Sequence, residues 1–442
     1  ALHQLVHWAA VGVMIPVTTL VLREIGLSLL QIGLAIGAYS LATVVLEVPS
    51  GALSDLWGRR RTYFLSTLCD LLAVGLLLVA PGVVVVVLAS ALRGCARAFS
   101  SGSLDALAVE TIRRETPDYD LQRFFARVGM AVPAGLAITS LAGGFLPELA
   151  VLPGLRALAA WSPAGGFGVN LIAHAALVGL AGTLAWVLFD EPRLAPVRSP
   201  EPDIPTDVTA PDAAHAAGPS ATPVGIAKQI GRSLGAAVRT PGLALILAAS
   251  AAIGLVLLSV ETYWQPRLGS IAGTDDVRLF GVLGAGYFAV AVVGNALSPL
   301  VVRVLGGNRA VGIIVFRVLS AAALLVLARQ SDAAGFAASY LGFFFIFASA
   351  SPAQAAMLND LIEDENRSTL ISVSSLMMQA GGVFGSLLFG WLSQSAGIGT
   401  SWSVAAAVFA LSALLFVPLI RSRAAVRSEE AVTGTTDAPQ EG

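Results

Sequence analysis

Arg93, Arg97, Ser101 and Asp105 recur at every fourth position through a stretch that is otherwise apolar. On a helix that spacing keeps them on one slowly drifting face. Two cations and an acid so arranged could bind an anionic solute, pass a proton, or brace a bundle through neighbouring carbonyls. Arg93 lies about ten residues into the stretch, where an ionisable group within a membrane costs several kcal/mol and points to function by default. Arg93 and Arg97 are therefore the first candidates for solute contact or proton coupling.

Other charges share that depth. Asp70 sits mid-run and would serve as a proton site beside a cavity, or as the partner of a cation such as Arg127. Glu47 suits a salt bridge to the fourth or eleventh span better than a proton carrier. His7 faces either a solute path or a plain polar interface. Arg317 occupies the depth of Asp70 in the second half, with no readable partner. Glu261, ahead of Tyr263-Trp264-Gln265-Pro266, closes a span as an interfacial anchor or an outer-gate contact.

Several chemistries are excluded. The 4 histidines are too scattered for a zinc site, and the 2 cysteines, Cys69 and Cys95, lie inside apolar runs rather than in a disulfide framework. No nucleophile, base or metal set clusters at one depth, so no enzyme is expected, nor a cofactor. No Gly-x-x-x-x-Gly-Lys-Ser/Thr loop offers ATP drive. A net charge of −2 gives nucleic-acid binding no support.

The elements that must position these groups follow from composition. The 442 residues are 56% hydrophobic and 12% charged, where soluble chains carry roughly a quarter charged residues. Mean hydropathy is +0.80. Apolar runs predict twelve spans at about 4–22, 31–53, 62–80, 83–106, 124–147, 169–189, 241–262, 279–302, 310–328, 335–358, 370–392 and 399–420. The first run is too closely coupled to its successor for a cleaved signal peptide, and the missing initial Met implies a short leader ahead of it.

The chain divides into a six-span half at 1–190, a Pro- and Ala-rich disordered linker at 191–224, an amphipathic surface helix at 225–240, a second six-span half at 241–421 and a polar tail at 422–442. Of the 26 basic residues, 17 fall on the side of the two termini, 5 on the other and 4 within spans. Both termini are therefore expected in the cytoplasm. Trp161, Trp264 and Trp402 are expected at the outer interface. Twenty-five arginines against one lysine suit a GC-rich bacterial genome and hence an inner membrane.

An internal repeat supports the division. At an offset of 248, Gly33 meets Gly281, Tyr39 meets Tyr287, Ser50 meets Ser298, Gly58 meets Gly306 and Arg61 meets Arg309. Two parallel six-span halves are one known transporter design. The loop after the second span reads Gly51-Ala-Leu-Ser-Asp55-Leu-Trp-Gly58-Arg59-Arg60-Arg61. Gly58 permits a tight reversal, and Asp55 is an anion able to face a helix N-terminus.

This loop, in this place, resembles the signature loop of the major facilitator superfamily, and with the layout the resemblance covers residues 1 to 421. It implies an all-α, twelve-helix polytopic membrane protein that moves a small solute across the lipid bilayer by alternating access. It implies a conformational latch of Gly51, Asp55, Gly58, Arg59 and Arg60, with Asp55 meeting the start of span 11. Arg59 would pair with Asp105 or Glu110 near the end of span 4. In the second copy Arg303 replaces the Asp, so the first copy carries the latch. A fourth-span arginine also resembles the family's proton-transfer motif at Arg93, although Arg97 stands where that motif has Gly. Span 5 has Val132-Pro133-Ala134-Gly135 with a later Gly143-Gly144 pair, departing from the drug-antiporter pattern. The expectation is a monomeric, proton-coupled exporter of drugs or metabolites, with an uptake symporter as the alternative and a membrane sensor as a remote one.

Overall fold

The computed structural model describes residues 1–79, 81–101, 107–109, 111–112, 116, 121–189, 235, 241–273, 276–361 and 367–420. The side chains of Asp55 and a few other helical residues lie outside the described set. So do Asp105 and Glu110, the linker, all of the 225–240 segment but Gly235, and the tail.

The described residues form fifteen α-helices and short 3-10 turns. The first half holds α1 (Leu2–Gly12), α2 (Thr18–Glu24), α3 (Leu29–Trp57), α4 (Arg59–Val79), α5 (Val83–Ser100), α6 (Leu121–Phe145), α7 (Pro153–Trp161) and α8 (Gly168–Leu188). The second holds α9 (Pro241–Ala272), α10 (Val277–Val304), α11 (Arg309–Ala328), α12 (Ala333–Ser349), α13 (Ser351–Asp360), α14 (Arg367–Ala396) and α15 (Ile398–Ser412).

Eleven segments are long and apolar enough to cross a membrane. The remaining expected span is α1 and α2 joined by a tightened turn. Pro16 has no N–H to give there, and the Met14, Ile15 and Val17 amides bond three residues back at 3.0–3.1 Å. The helix α7 between the fifth and sixth spans was not foreseen. It is short, exposes Trp161, and lies where the sequence offered only a loop.

Local chemistry sets the helix ends. Ser28 and Gln31 close a reciprocal capping box on α3, at 3.3 and 2.9 Å. Asn308 caps α11 and Asp332 caps α12 through their side-chain oxygens. Gly58, at φ 105° and ψ 143°, turns the chain from α3 into α4.

Each half packs mainly on itself, and the halves meet along α3–α14 and α6–α10. These contacts lie at the ends remote from the termini. A Cβ on Gly33 would stand 3.0 Å from the Gly390 Cα, and one on Gly281 would stand 2.9 Å from the Gly144 Cα. The repeat-related glycines of the sequence thus do the same work in the two halves. Gln265 Nε2 donates to the Ile15 carbonyl at 2.6 Å, and Thr19 Oγ1 to that of Thr262 at 2.7 Å. At the face of the termini a Cβ on Gly51 or Gly129 would meet nothing within 4 Å, and Leu56 and Met130 are exposed. The cleft between the halves therefore opens at the face of the termini and is shut at the other.

Two tryptophans depart from expectation. Trp161 is exposed, but Trp264 and Trp402 are buried, Trp402 Nε1 donating to the Ser259 carbonyl at 3.3 Å. Their rings fill the closed end, in contact with Phe280, Tyr340 and Phe336. The apolar area buried against these rings outweighs the interfacial preference.

Candidate functional site

The first half encloses a polar cluster built from four spans. Arg93 on α5 places Nε 3.4 Å from Asp70 Oδ1 on α4. His174 on α8 places Nε2 3.2 Å from Asp70 Oδ2, while its Nδ1 lies 2.6 Å from the Ala10 carbonyl on α1. A carbonyl only accepts, so Nδ1 carries hydrogen. The other nitrogen, Nε2, faces a carboxylate oxygen at hydrogen-bonding distance.

Asp70 therefore pairs with Arg93 and His174 rather than with the expected Arg127, whose residue is exposed on α6. The i, i+4 spacing had placed Arg93 on the right face, but nothing local links α4 to α5 or α8. His174 had entered only as one of four scattered histidines. A polar residue inside an apolar 21-residue helix, Gly168–Leu188, was the signal available to find it.

His7 on α1 turns into the same half. Its Nδ1 lies 2.9 Å from the Tyr63 hydroxyl, its ring stacks 6.2 Å from His3, and it is within electrostatic reach of Arg97, Asp70 and His174. Glu47 accepts a hydrogen bond from Ser101 Oγ at 3.0 Å and makes no ion pair among the described residues, so the expected salt bridge is replaced by a hydroxyl. Both groups sit on spans of the first half, so the bond closes no gap between halves.

Across the cleft, Glu261 does not end its helix. The span runs on to Ala272, because Tyr263, Trp264 and Leu268 continue the buried stripe past the polar residue. Tyr287 donates its hydroxyl hydrogen to Glu261 Oε1 at 3.2 Å, and its ring lies 4.0 Å from Phe344. Tyr39, the repeat mate of Tyr287, is within electrostatic reach of Arg93, Arg97, Asp70 and Glu261. The two tyrosines flank the cleft from opposite sides.

Arg317 is fully buried without a carboxylate. Its guanidinium donates to Ser412 Oγ at 2.5 Å, Gln354 Oε1 at 2.9 Å and the Ala249 carbonyl at 3.1 Å, and lies 5.0 Å from the rings of Phe409 and Phe416. It ties four helical segments of the second half together.

In the signature loop, Arg60 lies 4.0 Å over the Trp186 ring and donates to the Trp186 and Phe189 carbonyls at 3.3 and 3.1 Å. It thus anchors the loop to α8. Gly51 stands free of neighbours. The Asp55 side chain and the acids Asp105 and Glu110 lie outside the described residues. In the second copy Arg309 pairs with Asp360 at the end of α13, so that copy retains an arginine–carboxylate link between its spans.

An all-helical protein with its polar groups buried between spans, and a cleft open at one face between two halves, defines a polytopic solute transporter rather than an enzyme. The chain belongs to the Major Facilitator Superfamily, whose sequence model matches residues 1–354. The structure is similar to the crystal structure of the nucleoside transporter NupG, at TM-score 0.72 and 11% identity over 94% of this chain and 97% of that one. It is similar also to a bacterial homolog of the human lysosomal transporter Spinster in an inward-facing, unoccupied conformation. That match has TM-score 0.70 and 15% identity over 95% of this chain and 94% of the other. Identities this low carry the fold alone. No curated protein sequence matches the chain.

Proposed function

We propose that the protein is a proton-coupled secondary transporter that exports a small solute from the cytoplasm of a bacterial cell. The observation that carries the reading is the Asp70–His174 pair. Set between α4 and α8 and flanked by Arg93, it is a place where a proton can bind and leave, and a proton held within a span is what coupling to a pH gradient requires. Arg93 supports both states: it compensates the carboxylate when the proton leaves, and its own charge favours that departure.

Location and direction follow from the positive-inside count, which puts the face of the termini in the cytoplasm. The open cleft then loads solute from the cytoplasm, and an inward proton gradient drives it out by exchange. Gly51, Asp55, Gly58 and Arg59 would latch the cytoplasmic ends when the cleft closes there. The absence of neighbours around Gly51 suits a latch that is open in this conformation.

The test is flux in proteoliposomes with an imposed pH gradient, using a labelled panel of dyes, organic anions and sugars. Solute moving opposite to protons supports exchange. Solute moving with protons supports the uptake symporter instead. Gradient-driven flux that survives Asp70→Asn would overturn the assignment of the coupling site.

A further inference from the structure

Arg97 and Glu261 take no part in the Asp70 cluster, and they stand on opposite halves of the chain. Arg97 lies a helical turn beyond Arg93 on α5, partly exposed, and makes no ion pair among the described residues. Glu261 on α9 is partly exposed although the four residues after it are buried. Its carboxylate has one described partner, the neutral Tyr287 hydroxyl, and no cation. Tyr39 lies within electrostatic reach of both Arg97 and Glu261.

A free cation and a free anion inside a membrane protein each call for a counter-charge. Both side chains are partly exposed and so open to a solute. The surroundings of Glu261 also match a particular counter-charge. The partly exposed rings of Tyr287 and Phe288 lie 4.4 Å apart, with the buried Phe344 ring 4.0 Å from Tyr287 and Tyr340 4.9 Å from Phe344, edge to face. A carboxylate beside aromatic faces is a receptor for an ammonium group, which gains from both.

We infer that Arg97 and Glu261 form a two-pole binding site for a zwitterionic solute, whose anionic group meets Arg97 and whose ammonium group meets Glu261 beside the aromatic wall. The inference rests on the reading of the cleft as the solute path. It adds a solute class and an exchange rule: Glu261 is neutralised either by a proton or by the solute ammonium, so occupancy by one displaces the other. Tyr287 hydrogen-bonds the Glu261 pole, and its repeat mate Tyr39 lies within electrostatic reach of the Arg97 pole.

The test is calorimetric binding to the purified full chain in nanodiscs. The probes are phenylalanine and phenylalanyl-phenylalanine, each beside its N-acetyl and methyl-ester forms. The zwitterions are expected to bind at least tenfold tighter than either capped form. Arg97→Gln should remove the advantage over the ester, and Glu261→Gln the advantage over the acetylated form, both variants keeping the wild-type melting temperature within a few degrees. Equal binding of capped and uncapped probes, or no binding of any, would overturn the inference. So would rescue of flux by the charge-swapped Arg97→Glu/Glu261→Arg pair with no preference for zwitterions, since that result makes the two residues a gate for each other. Gradient-driven flux of another solute under any of these outcomes leaves the transporter reading standing, whereas loss of all flux in the wild type removes that reading itself.

Discussion

His174 presents one ring nitrogen to Asp70 at 3.2 Å and the other to the Ala10 carbonyl at 2.6 Å. The second contact makes Nδ1 the donor, and so it is the Ala10 carbonyl that turns Nε2 toward Asp70. Ala10 lies on α1, one helical turn from His7, so movement of the first span would loosen both histidines together.

Removing the acceptor should uncouple flux from the gradient. In Asp70→Asn the amide faces His174 with no carboxylate to titrate, and gradient-driven flux is expected to fall at least tenfold while solute exchange at equal pH persists. His174→Gln should show the same split. Parallel loss of both fluxes in a well-folded variant would contradict it.

Closure of the face remote from the termini depends on glycine pairs. A side chain on Gly281 would enter the space of the Gly144 Cα, 2.9 Å from its Cβ. Gly281→Val is expected to hold that face apart and shift the population toward the other conformation. Spin-label distances between α6 and α10 should lengthen on that face by several ångströms, and unchanged distances would refute the packing argument.

Arg317 should act on stability. Hydrogen bonds to a charged group contribute about 1.5–3 kcal/mol each, and Arg317→Ala also leaves Gln354 and Ser412 buried without their donor. A loss of about 3 kcal/mol is expected in chemical unfolding. Arg317→Met should cost less, because it refills the volume between Phe409 and Phe416 without a desolvated charge. Equal loss in both variants would mean that hydrogen bonds rather than packing dominate.

Gly58 has a backbone that only glycine adopts at ease. At φ 105° and ψ 143°, Gly58→Ala should cost about 1–3 kcal/mol and lower the melting temperature. Because the turn also aims Arg60 at Trp186, flux should slow in proportion. An unaltered melting temperature would show that the loop relaxes freely.

Much of this architecture was legible in the chain. Long apolar runs forced helices, since no other open structure satisfies its backbone in lipid. The offset of 248 had paired Gly33 with Gly281 and Tyr39 with Tyr287, and these pairs now flank the closed end and the cleft. The depth of Asp70, Arg93 and Arg97 marked them as costly and hence purposeful. Reading partners was another matter. Depth in an apolar run gives Asp70 no means of choosing His174 over Arg127, and the apolar run ahead of Glu261 stops near it although the helix goes on to Ala272.

Hydrophobic length and periodicity along a single segment determined which stretches cross the bilayer and how deep each charge lies. Which charges meet was decided by how the helices turn about their own axes when packed, and that angle depends on side chains far apart in the chain. The 104 residues between Asp70 and His174, and the span that α1 contributes through Ala10, carry no local mark of the contact. The grouping of Asp70, His174 and the Ala10 carbonyl exists only once three helices are fixed side by side.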